Sequence, residues 1–256
     1  MPAESVAIIG AGIAGLGAAW TLDGSHDVHL FERDDRLGGH THTVPVESVA
    51  GERLNVDTGF IVYNETTYPL LTRLLDRLGI ETQPTNMSFS LECARCGVVY
   101  SGLGPWGVFA DPRNVLRPAF LRFLWRVGRF NRRGLGASPG GRDDGGTLAG
   151  YLERAGLDGA VARHYALPLA SALWSTGIPD VRDLPFRTFD AFFRSHRLYR
   201  IRGRLEWRTV KGGSRAYVDG MREAMSATVR TGAAAASVRR EGRQVRLSLD
   251  DGSSEA

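Results

Sequence analysis

Lysine is almost missing from this 256-residue chain: Lys211 is the only one, so arginine carries nearly all the positive charge behind the formal net charge of +4. An arginine bias can follow from genome composition, and so small a net charge does not argue for a nucleic-acid partner. Cysteine is equally scarce. Cys93 and Cys96 are the only two, which excludes a disulfide framework and points to a reducing cytoplasm. No apolar run approaches the roughly 20 residues that a membrane-spanning helix needs. The first residues show no basic stretch followed by an apolar one, so no signal peptide is expected. What is present is ordinary for a globular protein, with 43% hydrophobic and 23% charged residues. The length allows one large domain or two interleaved ones, with a real core.

Glycine, by contrast, is concentrated. The stretch VAIIGAGIAGLGAAWTLDGSHDVHLFERDDRLGGHTHT (residues 6–43) holds two glycine clusters with Glu32 between them. SVAIIG reads as a strand buried on both faces of a parallel sheet. A glycine turn and a helix follow, with Ile13, Leu16 and Trp20 spaced to face the sheet and Gly24 at the helix end. DVHLFE reads as the next strand. This is G-x-G-x-x-G in a strand–turn–helix–strand setting. Gly10 permits the tight turn, Gly12 lets backbone approach a pyrophosphate, and Gly15 lets helix and strand pack closely. The helix start, with the amides around Ile13 and Ala14, offers N–H groups and a positive dipole end to the phosphates. Glu32 stands 22 residues after Gly10, where its carboxylate can accept hydrogen bonds from ribose hydroxyls.

NAD and FAD share that ribose, so Glu32 does not separate them. The second cluster does. Glu32-Arg33-Asp-Asp-Arg36-Leu-Gly38-Gly39 fits E-x-x-x-R-x-G-G, and a NAD site has no need of another glycine pair so soon after the acid. A longer cofactor does, with Gly38 and Gly39 admitting its chain and Arg36 supplying positive charge. With IIGAGIAGLGAAW, RLGGHTHT, VDTGFIVYNETTYPLL, MSFS, FADPRNVLRPAF and WRTVKGGSRAYV, the sequence resembles the flavin amine-oxidase superfamily, which includes monoamine oxidases, protoporphyrinogen oxidases and phytoene desaturases. The resemblance is greatest to a bacterial subgroup of predicted FAD/NAD-binding proteins.

The resemblance implies an α/β fold: a Rossmann-like FAD-binding domain of the GR2 type with an inserted α+β substrate domain. The expected division is 1–62 with 205–256 for FAD and 63–204 for substrate. It also places Thr58, Gly59 and Phe60 against the isoalloxazine, with a simple bulge as the alternative, and sets Ala235 where backbone clasps the adenine. His40 stands where many relatives have a basic residue. The candidate cofactor-binding set is therefore Gly10, Gly12, Ile13, Ala14, Gly15, Glu32, Arg33, Arg36, Gly38, Gly39, His40, Thr58, Gly59, Phe60 and Ala235. No catalytic residue is assigned. Lys211 does not match the family's catalytic lysine, and nothing matches the later Gly-Asp motif of relatives. The chain is thus expected to be C-terminally truncated, a fragment or one half of a split enzyme completed by a second chain.

Further along, TTYPLLTRLLDRLGI reads as a packing helix from Pro69 to Gly79. MSFSLECARCGVVYSG reads as two strands with Cys93-x-x-Cys96 in their turn. No metal site is expected, since zinc would need two more ligands and no second cysteine pair exists. His40-x-His42 is likewise too few ligands, and His164 reads as a core or surface histidine. Residues 113–133 contain seven arginines and no acid. Arg122, Arg126, Arg129 and Arg133 fall in a stripe on an otherwise apolar helix. Such a helix is either buried in a substrate domain or docked, through 119–133, on the anionic inner face of a membrane. Residues 134–146 read as a glycine-rich loop. Phe189, Phe192, Phe193, Tyr199 and Trp207 either line an apolar channel or fill a core. The expected function is an FAD-dependent oxidoreductase acting on an apolar, lipid-like substrate. The alternatives are a redox-neutral double-bond isomerase and a non-catalytic nucleotide-binding fragment.

Overall fold

The apolar run Ser5–Ile9 forms the strand β1, and the turn beyond it depends on Gly10, whose φ of +92° is one that L side chains rarely adopt. In chain order there follow α1 (Ile13–Leu22), β2 (Asp27–Phe31), β3 (Thr43–Glu47), β4 (Arg53–Asp57), α2 (Pro69–Leu78), β5 (Thr82–Thr85), β6 (Ser90–Cys93) and β7 (Val98–Ser101). Then come α3 (Gly104–Val108), α4 (Pro118–Gly136), α5 (Leu148–Arg154), α6 (Leu167–Trp174), α7 (Ile178–Arg182) and α8 (Phe186–Ser195). The chain ends with β8 (Trp207–Val210), α9 (Arg215–Ala224), β9 (Thr228–Arg230), β10 (Ala235–Glu241), β11 (Gln244–Leu249) and β12 (Ser254–Glu255). These elements come from a computed structural model that describes residues 4–136, 146–242 and 244–255.

The chain divides into two compact units, one of residues 1–85 with 207–256 and one of residues 86–206. In the first unit β1, β2 and β9 form a parallel sheet in that order, with Ile9 opposite Phe31 and Leu30 opposite Val229. Leu16 and Ala19 of α1 pack with Leu30 of β2 and with Tyr217 and Met221 of α9. The other face is covered unevenly. Ala233, Leu247 and Leu249 bury Phe31, whereas Ile9 on the neighbouring strand stays 53% exposed. The expectation that β1 is buried on both faces is thus corrected: its residues alternate between exposed and half-buried. Ile13 also departs from expectation. It is exposed beside Leu70, Leu71 and Leu74 of α2, while Leu16 alone of the expected three is fully buried.

Helix α2 and strand β5 belong to this first unit for a physical reason. Leu75 of α2 is buried in the same cluster as Tyr217 and Met221, and β5 pairs antiparallel with β8, Thr82 opposite Val210. The division therefore falls after residue 85 and before residue 207 rather than at 62 and 205. Pro69 starts α2, and Gly79, at φ 65°, ends it in the left-handed conformation. Lys211 pairs with Glu81 at 2.8 Å.

The second unit joins the β6–β7 hairpin to a set of helices around an aromatic core. Phe189, Phe193 and Tyr199 are buried, with Phe189 and Phe193 stacked at 4.0 Å and Tyr151 on Phe186 at 3.7 Å. Of the two readings of this aromatic stretch, Phe189, Phe193 and Tyr199 take the core one. Thr147 caps α5, its hydroxyl accepting the Gly150 N–H. Helix α4 buries Phe120, Phe123 and Phe130 but leaves Leu121 and Trp125 exposed. It continues through Gly136, so the first part of the expected glycine-rich loop is helical. Gly134 is required there, because a Cβ would stand 2.5 Å from the Tyr199 ring. Residues 137–145 of that loop lie outside the described residues. Among the described residues no helix is long and apolar enough to cross a membrane.

Candidate functional site

The glycines after β1 have different reasons to be glycine. A Cβ on Gly15 would lie 1.8 Å from the Gly10 carbonyl oxygen, so the α1–β1 approach itself forbids one. Gly12 is different. Its φ of −67° suits any residue, and a Cβ there would meet no protein atom within 4 Å. The protein leaves that space open at the start of α1, where no side chain caps the helix. The orphan N–H groups of a helix start, with its positive dipole end, favour an anion there.

Glu32 closes the loop from the side. Its Oε2 accepts the Ala11 N–H at 2.6 Å and its Oε1 accepts the Asp34 N–H at 3.0 Å. Each carboxylate oxygen has a second lone pair, so these bonds orient the carboxylate and leave it able to accept ribose hydroxyls. Its backbone is tied as well, since the Glu32 N–H donates to Arg230 O and the Glu32 carbonyl accepts the Ala233 N–H. That places Ala235, at the start of β10, close in sequence to the residue holding Glu32. Arg33 is exposed and turns to Asp34 at 3.4 Å.

The second glycine cluster lies directly on the first. Gly38 donates its N–H to Ala11 O at 2.8 Å, and Gly12 and Gly38 form a parallel bridge. A Cβ on Gly39, at φ 56°, would come within 3.0 Å of the Gly12 Cα. The pair is thus needed for loop-on-loop packing, a role beyond the admission of a cofactor. Arg36 sits beside it with Nη1 buried and without a hydrogen-bond partner. An unpartnered buried guanidinium nitrogen is costly; an anion offsets that cost. Arg36 lines a pocket of about 340 Å³ with Thr41, His42, Arg215 and Arg222, and with the acids Asp35, Asp219 and Glu223.

The third strand of the site comes from the β3–β4 hairpin. A Cβ on Gly59 would lie 2.0 Å from the His40 carbonyl oxygen, so Gly59 is glycine because the His40 backbone crosses it. Thr58 donates its N–H to His42 O at 2.9 Å. Phe60 lies half-buried with its ring 6.1 Å from that of Tyr68. Gly10, Gly12, Gly15, Glu32, Gly38, Gly39, His40, Thr58 and Gly59 are in this way linked into one cradle, with Arg36 two residues before Gly38 in sequence. Ile13 and Ala14 offer it only their backbone, since both side chains are exposed.

Sequence reasoning missed what anchors the cradle. Asp57 accepts the Ser214 N–H and hydroxyl at the start of α9, and Tyr217 shares a buried hydrogen bond with Thr41 at 2.8 Å. The glycine pair Gly212-Gly213 ahead of α9 was the available signal. A Cβ on Gly213 would strike Thr43 at 2.5 Å. In the second unit, Cys93 and Cys96 lie on the β6–β7 turn as expected, but with His164 beside them, a neighbour invisible at a separation of 68 residues.

The profile of the family described as flavin containing amine oxidoreductase matches residues 13–256. Flavin-containing amine oxidase A of Canis lupus familiaris is 40% identical over 125 residues, covering 48% of this chain and 22% of that protein. An Exiguobacterium protein provisionally described as a protoporphyrinogen oxidase superimposes with a TM-score of 0.64 at 20% identity, over 98% of this chain and 57% of that one. A fatty acid isomerase from P. acnes gives 0.60 at 19% identity over 99% and 56%. Putrescine oxidase gives 0.62 at 19% identity over 99% and 56%. The chain spans 56–57% of the length of these solved structures and 22% of the curated relative. At these identities the superpositions establish the shared fold.

Proposed function

This chain belongs to the family of flavin-containing amine oxidoreductases, and from that premise we propose that its first unit holds FAD and serves oxidation of an apolar, lipid-like substrate. The observation that carries the reading is the pairing of open space at Gly12 with the unpartnered buried Nη1 of Arg36. Both fit a diphosphate at the start of α1. Glu32 would orient the adenosine ribose, and the Ala235 backbone would face the adenine. His40, Thr58, Gly59 and Phe60 would lie toward the flavin ring. Bound FAD would supply an acceptor for the hydride of a C–H bond, as the adjacent C–N or C–C bond becomes double, and a route for the electrons to oxygen or another acceptor. The protein's own part is to hold the diphosphate charge, fix the ribose and keep the loops in register.

The lipid-like substrate is supported by the second unit's exposed apolar residues. Trp106 is 91% and Leu116 85% exposed, and Leu121 and Trp125 stand out from α4 among exposed Arg122 and Arg129. Arg129 lies over the Trp125 ring at 5.7 Å. An aromatic flanked by arginines suits the headgroup region of an anionic bilayer, so contact of α4 with such a surface belongs to the same proposal. Sedimentation with anionic vesicles should bring down the wild type but not an Arg122→Glu/Arg129→Glu variant; equal partitioning would sink the membrane contact.

Mass spectrometry of cofactor released by heat tests the central reading, with FAD the expected mass. Bleaching of the flavin absorbance by a fatty acyl or isoprenoid compound, and not by small amines, would support the substrate class. A product changed only in double-bond position, formed with no electron acceptor, would identify an isomerase instead. Purified protein without flavin that also fails to bind added FAD would overturn the proposal.

A further inference from the structure

In the second unit the β6–β7 turn is closed by Gly97, at φ 65°, whose N–H donates to Cys93 O at 2.8 Å. The turn presents two thiols, and His164 comes to them from a π-helical turn spanning Ala162–Ala166. The two sulfurs and a ring nitrogen of His164 all lie within 4.8 Å of one another. Cys96 Sγ and His164 Nε2 are 3.6 Å apart. A tetrahedral zinc ion with Zn–S of about 2.3 Å and Zn–N of about 2.0–2.1 Å separates sulfur from nitrogen by about 3.6 Å. The observed spacing fits two ligands of one ion, and in the metal-free chain it is a thiol–imidazole hydrogen bond.

Three features beyond the distances point the same way. π-Helical turns are rare and concentrate at functional sites, and this one carries the histidine. His164 is also held: Phe123 packs edge-to-face on its ring at 6.1 Å, and its backbone carbonyl accepts the Tyr100 hydroxyl. Finally, the three side chains line a pocket of about 650 Å³, which leaves room for a fourth ligand. Thiolate and imidazole select zinc over calcium or magnesium, which take oxygen. Two thiolates balance the charge of a divalent ion. Arg95, Arg163 and Arg182, with Glu92 the one acid, line the same pocket, a setting that suits an anionic fourth ligand such as hydroxide or a carboxylate.

We propose that Cys93, Cys96 and His164 bind one zinc ion, with the fourth position open to the pocket. The site is independent of the flavin reading and is tested without flavin. The whole chain, produced with zinc and purified in reductant without chelator, should carry about one zinc per chain by elemental mass spectrometry. Cys96→Ser and His164→Ala should each lose most of it. Titration of metal-free wild type with cobalt(II) needs no variant. It should give a thiolate-to-cobalt charge-transfer band and strong tetrahedral d–d bands that saturate at one equivalent. Wild type with neither zinc nor the cobalt–thiolate band would overturn the proposal. So would zinc content unchanged in both variants, or a Cys93–Cys96 disulfide that persists, metal-free, in reductant.

Discussion

Asp57 at the end of β4 accepts three hydrogen bonds from Ser214 at the start of α9, two from the backbone N–H at 2.9 and 3.0 Å and one from the hydroxyl at 2.7 Å. Thr43 completes the arrangement. Its hydroxyl donates to Asp57 Oδ1 at 2.5 Å and accepts the Arg215 N–H at 2.9 Å. The carboxylate thus does for α9 what a local cap does for other helices, since the Ser214 side chain makes no cap bond within its own helix. It also ties the hairpin bearing Thr58 and Gly59 to the helix that packs on α1.

Removing that tie should loosen the whole unit. Asp57→Ala is expected to lower unfolding free energy by about 2 kcal/mol, the scale of charge-assisted hydrogen bonds with their donors left unpaired. Urea unfolding followed by circular dichroism measures it. A loss below about 0.5 kcal/mol would show that the contact is incidental.

Two glycines three residues apart should differ in what alanine does to stability. Gly12→Ala has a permissive φ and no protein atom near its Cβ, so thermal stability of the flavin-free chain should hold while FAD affinity collapses. Gly15→Ala would put a methyl 1.8 Å from the Gly10 carbonyl oxygen. Overpacking of that kind costs about 1–3 kcal/mol, and stability and flavin should fall together. Should Gly12→Ala bind FAD as wild type does, the diphosphate does not lie where the open space suggests.

Arg36 carries an unpartnered buried nitrogen in the flavin-free chain. Arg36→Ala should therefore leave the stability of that chain unchanged or slightly raised, because an unsatisfied donor is removed. The same change should weaken FAD binding by about tenfold or more, the worth of about 1.4 kcal/mol upward for a charge-assisted contact. Fluorescence titration with FAD, beside a melting curve without it, separates the two effects.

Asp111 gives the second unit a pH dependence on the acid side. The Arg113 side chain, hydrogen-bonded to it at 2.9 Å, holds its carboxyl below the usual carboxylate value, and Arg117 adds to the effect. A depressed folded-state value means that stability from this group is present above the unfolded value of about 3.9. It is lost as pH falls through that value toward the folded one. Asp111→Asn should flatten the acid limb of stability against pH below about 4 and leave its shape near neutrality unchanged. An unaltered acid limb would refute the assignment.

Local chemistry was legible from the residues alone. Gly10 and Gly79 stand where backbone must turn left-handed, Thr147 where a helix needs a cap, and the strand–turn–helix after Ser5 follows from apolar spacing. These depend on sterics and hydrogen bonds within a few residues, so adjacency in sequence suffices. The burial of β1 and of Ile13 was misjudged for the opposite reason. Hydrophobic character marks what a residue can bury, but only the placement of β10 and β11 over Phe31, and not over Ile9, decides what is buried.

Sequence by itself determined the family, the α/β character and the glycine-and-acid set at the start of α1, because each rests on short-range geometry or on motifs of fixed spacing. Tertiary structure alone decided that Asp57 meets Ser214, 157 positions away, that the second glycine pair lies against the first, and that His164 joins Cys93 and Cys96. Those encounters are set by how distant segments close on one another. No local pattern of spacing encodes such closure, so it becomes readable only once the chain is folded.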